Sequence, residues 1–301
     1  MRDLDLTTLR LFVSVCETGN IARAGEKASI VGSAISKRLA QLEQTVGTPL
    51  LIRKRHGVEP TAAGQTLLEH ARTMLASAAR IARDMEAYAA GVRGQVRILG
   101  SASAMAESLA DDVASFLQQP AHANIQVDME ERISPEVVRG VREGTASLGI
   151  CWDAVELGPL QSRPYRSDHL CMVVPNGHPL AERSSLRFEE TLDYEHVSLP
   201  VASAVQVMLH RAAARLGRSV TQRVIVANFE AALRVVRAGL AISLVPREVA
   251  NIYADAYGLK VVPMAEPWAK RRFIICYRDA QALSPSAQLL ADHLAARAQQ
   301  V

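Results

Sequence analysis

Apolar residues recur at helical spacing from the start of the chain. Leu6, Leu9, Phe12, Val13 and Cys16 share one face and predict a helix over residues 6–17. Gly19-Asn20 ends it, because Gly tolerates the left-handed terminal conformation and Asn offers a cap to the helix that follows. A second helix is predicted over residues 21–28. After a break at residues 29–33, in which Gly32 is permissive and Ser33 reads as an N-cap, Ile35, Leu39 and Leu42 predict a third helix over residues 34–45. The apolar run Leu50-Leu51-Ile52, three consecutive cations and Gly57 predict a hairpin. Thr61 then caps a helix reaching about residue 90, with Leu67, Leu68, Ala71, Met74, Leu75, Ala78, Ile81, Ala82 and Met85 along one stripe. So long a helix exceeds what a small domain can bury, and its stripe is expected to pack on the same helix of a second copy.

Beyond Gly91-Val92-Arg93-Gly94, a Gly-flanked linker, the pattern changes. Residues 95–99 alternate as a strand. Strands are predicted over residues 125–130, 147–152, 170–175, 221–226, 242–245, 260–262 and 273–277. Helices are predicted over residues 135–143, 205–216 and 229–238 and from residue 285. This alternation predicts α/β units with mostly parallel sheets.

Charge divides at the same place. The 301-residue chain has a net charge of +3. Its first 93 residues carry 13 Lys and Arg against 9 Asp and Glu, and the remainder carries 21 against 22. The basic excess belongs to the helical third, which predicts a polyanion partner for that part alone. At 49% apolar and 22% charged the composition excludes a disordered or collagenous chain. Cys16, Cys151, Cys171 and Cys276 are too few and too scattered for a disulfide framework or a zinc site, and read as small apolar filler. Acidic residues in Met1-Arg2-Asp3-Leu4-Asp5 argue against a secretory leader, and no run reaches the ~18 apolar residues of a membrane span. A cytoplasmic protein without membrane contact is expected.

Two short helices joined by a tight turn, the second showing Ser36, Lys37, Arg38 and Gln41 on its polar face, fit a helix-turn-helix that enters the major groove of double-stranded DNA. Small Ala22, Ala24, Gly25 and Ala28 let the two helices approach. The hairpin then reads as a wing, with Arg53, Lys54 and Arg55 laid along the backbone or into the minor groove. Ser33, Ala34, Ser36, Lys37, Arg38, Gln41, Arg53, Lys54 and Arg55 are the candidate DNA-contacting residues.

The stretch from Asn20 to Glu43, with Ala22, Ala24, Ser36, Lys37, Arg38, Leu39 and Leu42, continues through Val46-Gly47, Leu50-Leu51, Arg53, Pro60-Thr61 and Gly64. It resembles the N-terminal domain of LysR-type transcriptional regulators, and the order of later elements matches that family along essentially the whole chain. Many members open the recognition helix with Ser-Gln-Pro. Val31-Gly32-Ser33 stands there in this chain, so base readout falls to Ser33, Ser36 and Lys37 or to DNA shape.

The resemblance implies an α/β protein of three parts: a winged helix-turn-helix domain over residues 1–60, a dimerisation helix over residues 61–91, and an effector domain over residues 92–301. That last part would be periplasmic-binding-protein-like, with one subdomain over about residues 95–163 and 269–301 and the other over about 164–268. It also implies a homodimer or homotetramer and a small-molecule effector held between the subdomains. Helix N-termini make anion sites, so Ser101, Ala102 and Ser103 after the first strand, opening a helix at residue 104, and Arg132 and Ser134 after the second are candidate effector residues. Ala202, Ser203, Asn228 and Phe229 hold the matching places across the cleft. A small carboxylate is the favoured effector class.

The chemistry expected is binding rather than turnover, with no cofactor and no metal. No Gly-x-Ser-x-Gly elbow, His-Glu-x-x-His pair, phosphate loop or dinucleotide fingerprint is present, and His122, His169, His178 and His196 lack metal-ligand spacing. The alternative, a solute-binding or enzymatic domain with an N-terminal oligomerisation arm, would call for an export signal or a catalytic group. A redox sensor would call for paired or exposed cysteines.

Overall fold

The computed structural model describes residues 4–54, 57–89 and 94–299. Arg55 of the wing and residues 90–93 of the linker lie outside them. The chain divides into two compact units near residue 86.

The first unit opens with α1 (Leu6–Thr18). Asp5 caps it, accepting from the Thr7 and Thr8 amides at 3.1 and 2.9 Å, and Gly19 closes it in the left-handed conformation. Asn20 caps α2 (Ile21–Ala28) in the same way. The turn that follows is two residues shorter than the sequence pattern predicts: α3 (Gly32–Val46) starts at Gly32 behind Val31, and Ser33 makes no capping bond. Ser29 supplies the sharp reversal at φ 55°, and its backbone N–H bonds to the end of α2. Gly25 makes this turn possible, since a Cβ there would stand 2.5 Å from the Ile30 carbonyl oxygen. Strands β1 (Leu51–Lys54) and β2 (Gly57–Pro60) pair antiparallel as the wing.

Leu9, Phe12, Val15, Ile35, Leu39 and Leu42 form the core of this unit, each burial contributing about 1.5–3 kcal/mol. Helix α4 (Ala62–Ala89) starts where the Thr61 hydroxyl accepts from the Gly64 amide at 2.9 Å. Its first turns add Leu68 and Ala71 to the core, whereas Met74, Ile81 and Met85 stay exposed.

The second unit is built on one twisted sheet. β3 (Gly94–Gly100) pairs parallel with β4 (Ile125–Glu131) and β5 (Leu148–Trp152), through a helical run of α5 (Ala102–Ala104), a π turn (Met105–Leu109) and α6 (Ala110–Leu117), and through α7 (Ser134–Glu143). Then the pattern departs from mostly parallel pairing. β6 (Gln161–Pro175) is a single long strand, and β11 (Lys270–Tyr277) lies antiparallel between it and β5. Past His169 the same β6 changes partners, pairing antiparallel with β9 (Ser243–Pro246) and β10 (Leu259–Pro263). The antiparallel sense has a plain cause: a chain that leaves one half of the sheet along β6 must come back along β11 in the opposite direction.

Each half has its own core. Ile98, Phe116, Leu148, Ile150, Ile275 and Leu290 lie in one, which α12 (Pro285–Ala296) helps to cover. Met172, Phe188, Leu209, Leu233, Val245 and Val249 lie in the other, under α8 (Phe188–Thr191), α9 (Ala204–Arg215), α10 (Phe229–Arg237) and α11 (Arg247–Tyr257). A small parallel pair, β7 (His196–Ser198) with β8 (Gln222–Ile225), flanks the second core. Cys151, Cys171 and Cys276 are buried, and burial pushes the half-buried Cys16 thiol up to about 11. No helix among the described residues is long and apolar enough to cross a membrane.

Candidate functional site

Two places gather the candidate residues, one in each unit. In the first, burial of Ile35, Leu39 and Leu42 turns the opposite face of α3 outward, so Ser33, Lys37, Arg38 and Gln41 are exposed and Ala34 and Ser36 partly so. Glu43 fixes how this helix meets the wing: its Oε1 accepts from the Leu50 and Leu51 amides at 2.7 and 3.1 Å. Ser36 and Arg53 thereby line one small crevice between helix and wing. The cations differ in their freedom. Arg38 turns back to Asp5 and Thr8, at 3.3 and 3.4 Å, and Lys54 pairs with Glu59 along the hairpin. Among the described residues no ion-pair partner is found for Lys37 or Arg53.

In the second unit, a cavity of about 230 Å³ opens where β3 and β4 end on one side and α9 and α10 begin on the other. Ser101, Ala102, Ser103, Arg132 and Ser134 line one wall, and Ser203 and Phe229 line the other. The helical run starts at Ala102, with Ser101 in the cap position, two residues before the sequence-based start at 104. Ser101 is held by its amide, which donates to the Ile150 carbonyl at 2.9 Å, and the Arg132 amide donates to Gly100 at 2.9 Å. Among the described residues the hydroxyls of Ser101 and Ser134 are buried without partners, at 4% and 7% residue exposure. A buried hydroxyl without a partner carries a desolvation cost that a ligand can relieve. Three helices point their N-termini at the same space: Ser134 is the first residue of α7, Ser203 caps α9 and Phe229 is the first residue of α10.

Two of the nine sequence-chosen positions are not brought to the cavity wall. Asn228 accepts from the Ala231 amide at 2.9 Å and so caps its own helix, while Ala202 points to solvent. Arg132 reaches the cavity with its charge already engaged: it is paired with Glu130 and donates to the Glu131 carbonyl at 2.9 Å. Glu130 also pairs with Arg97. Residue patterning missed Glu131, Ile133 and Glu136, which line the same wall. Adjacency to Arg132 was the available signal, since the whole strand-to-helix connection faces inward. Among the described residues no cluster of His, Cys, Asp or Glu that could hold a metal ion is found.

Comparisons with known proteins cover both units. Residues 6–65 match a family model described as bacterial regulatory helix-turn-helix protein, lysR family, and residues 89–299 match one described as LysR substrate binding domain. The chain is 26% identical over 289 residues to the HTH-type transcriptional regulator GbpR of Azospirillum brasilense, spanning 95% of this chain and 84% of that one. Its fold is similar to that of full-length CbnR crystallised with its target DNA, at a TM-score of 0.65 and 22% identity over 98% of this chain and 100% of the other. The second unit is similar to the effector binding domain of QuiR in complex with shikimate, at a TM-score of 0.61 and 18% identity over 69% of this chain and 98% of that domain.

Proposed function

The chain belongs to the LysR family of transcriptional regulators, and from that premise we propose that α3 and the wing bind operator DNA while the serine-lined cavity binds a small hydroxylated monocarboxylate that alters the operator complex. The observation that carries the effector reading is the pair of unpartnered buried hydroxyls, Ser101 and Ser134, in a cavity where three helices begin. Helix N-termini and hydroxyl donors favour one carboxylate there.

The rest of the wall limits the charge. With Arg132 held by Glu130, and with Glu131 and Glu136 on the same wall, no further cation lines the cavity among the described residues for a second anionic group. Those two carboxylates suit ligand hydroxyls as donors. Shikimate, which the QuiR domain holds, has this chemistry. On this reading the cavity binds and does not turn its ligand over, and residues 95–163 with 269–301 move against residues 164–268 when it is filled. Only differential affinity for two arrangements lets a ligand do this.

Lys37 and Arg53 supply phosphate contacts, and Ser33, Ala34, Ser36 and Gln41 face the base edges. Arg38 and Lys54 serve more to hold the motif's shape, given their ion pairs. The exposed Met74, Ile81 and Met85 stripe of α4 supports a dimer joined along that helix, which sedimentation of the full chain checks.

A thermal-shift series on the full chain tests the effector class. Shikimate and related hydroxylated monocarboxylates raise the melting temperature, whereas succinate and phosphate esters leave it unchanged. Stabilisation by the dianions alone would overturn the assignment.

A further inference from the structure

Helices α1 and α2 begin behind residues whose side chains cap them, Asp5 and Asn20. Helix α3 does not. Val31 holds its N-cap position, at φ −63° and ψ 139°, and makes no side-chain capping bond. Valine is among the poorest residues for that place, where Ser, Thr, Asp and Asn satisfy an orphaned amide. The same side chain is 70% exposed, the highest value among the exposed large apolar side chains of the described residues. Val31 thus breaks two local rules at once, and such conflicts gather where a residue serves something other than the fold.

The backbone at this tip is fixed while the side chain is free. The Val31 carbonyl accepts from the Ala34 and Ile35 amides at 3.0 and 3.3 Å. A β-branched side chain is stiff about its first torsion, so little freedom is lost when something packs on it. Beside it Gly32 carries no side chain although the fold does not demand this, since a Cβ there would meet only Ile21 Cγ2, at an ordinary 3.7 Å. Lys37 is exposed further along the same helix, and Arg53 stands across the crevice from Ser36. An apolar protein partner would have to cover those cations, whereas duplex DNA takes them on its phosphates.

A helix-turn-helix leads with the N-terminal end of its second helix into the major groove. The apolar group on show there is the C5 methyl of thymine; the other base edges present donors and acceptors, which a valine cannot use. The half-exposed Ile52 of the wing is no rival for that contact. Leu51 and Arg53 line the crevice toward α3, so strand alternation turns Ile52 away from it.

We infer that Val31 is a specificity-determining residue of the operator contact: its isopropyl group packs on the C5 methyl of a thymine in each half-site, and Gly32 leaves room for that approach. The inference rests on the reading of α3 as the DNA-contacting helix and adds a base preference to it.

The experiment uses the full chain and, as probe, a duplex that this chain enriches from a pool of random-sequence DNA. Each thymine is replaced in turn by deoxyuridine, which removes the C5 methyl and keeps the pairing edge. At one thymine per half-site the parent is expected to lose about fourfold in affinity, the worth of one buried methylene-sized group. With Val31→Ser the same replacement costs nothing, because side chain and methyl form the coupled pair of a double-mutant cycle. Serine also supplies the missing cap, so the variant melts at or above the parental temperature. Its charge is unchanged, so its salt slope stays parental, unlike that of Lys37→Ala. Lost base preference at equal or higher stability is a split that a structural role for Val31 would not produce.

Equal methyl dependence in parent and Val31→Ser, or no sensitive thymine in the parent, would overturn the contact and leave α3 as the DNA-binding helix. Sedimentation of Val31→Ser as a smaller species than the parent would assign the residue to a protein interface and overturn the contact as well. A pool from which the full chain enriches no duplex would overturn the DNA reading itself, and the contact with it. Should Val31→Ser fail to fold, Val31→Ala decides in its place.

Discussion

The two candidate surfaces handle charge in opposite ways. On α3 and the wing, Lys37 and Arg53 stand exposed on a scaffold fixed by buried apolar residues and by Glu43. At the cavity, Arg132 is balanced by Glu130 and the unsatisfied groups are neutral hydroxyls. A phosphate backbone is a dense row of negative charges, for which free exposed cations suffice and release counterions on contact. A single small molecule enclosed by protein is selected by where hydrogen bonds are missing, because each orphaned donor costs about 1–3 kcal/mol until it is matched. On the proposed reading, the first surface gains affinity through charge. The second, on the same reading, discriminates through geometry.

Removing the free cations should break this comparison most sharply. Lys37→Ala and Arg53→Ala are each expected to weaken operator binding about tenfold at physiological salt and to lower the salt slope by roughly 0.9 for each lost phosphate contact. Gel shifts over a salt series measure both, and a variant whose slope matches the parent removes that residue from the interface. A smaller effect is expected at the cavity. Ser134→Ala should lower effector affinity about three- to tenfold, the range of one lost hydrogen bond, while leaving the empty protein as stable as the parent or slightly more so, since an orphaned buried hydroxyl is gone. Calorimetry with and without effector reads the two together. If Ser134→Ala loses empty-state stability, its hydroxyl has a structural partner.

The smallest effect on either surface should come from the body's own ion pairs. Burial works to raise Asp112, but Arg166, at 2.7 and 2.9 Å, and the Tyr165 hydroxyl, at 2.6 Å, outweigh it and hold the carboxyl below its ordinary 3.8. The stability it contributes is present above pH 3.8 and is lost as pH falls through the lower folded-state value. Asp112→Asn should lower the melting temperature of this unit by about 2–4 °C at pH 6, with the gap closing toward pH 3, and should change neither DNA nor effector affinity. Altered operator binding would mean that charge in the body is not purely structural.

Legibility in the sequence followed the range of the interactions. In the first unit, α1, α2, the body of α3, the wing and α4 follow from apolar spacing and from Gly19, Asn20 and Thr61, because each is decided within a few residues. The start of α3 does not, since Ser33 is a good cap by composition while Ser29 makes the turn. In the second unit, Ser101, Ser103 and Ser134 could be chosen because they sit where strands end and helices begin.

The long strand β6 hid for two physical reasons. Pro164 counts against a strand interior, and it is tolerated because it faces Ile274 where the register with β11 shifts. Arg163, Arg166 and Asp168 look like surface residues, yet Asp168 is buried because its partner Arg271 arrives 103 residues later. A buried ion pair with such separation leaves no local pattern. The same blindness hid α11, whose Glu248 accepts from the Ser108 hydroxyl 140 residues earlier in the chain.

The place of β11 has a consequence for how the protein is made. The first unit has all its core residues by Ala71 in the growing chain and can close while the rest is still being translated. The second cannot do so: one edge of β5 and the start of β6 remain unpaired until residues 270–277 emerge, and the contact between Asp153 and Arg272 spans 119 residues. A ribosome that stops short of β11 would release a chain whose first unit is finished and whose sheet still exposes the edges of β5 and β6. Such a fragment keeps the candidate DNA-contacting surface and presents unpaired strand edges to any other chain nearby.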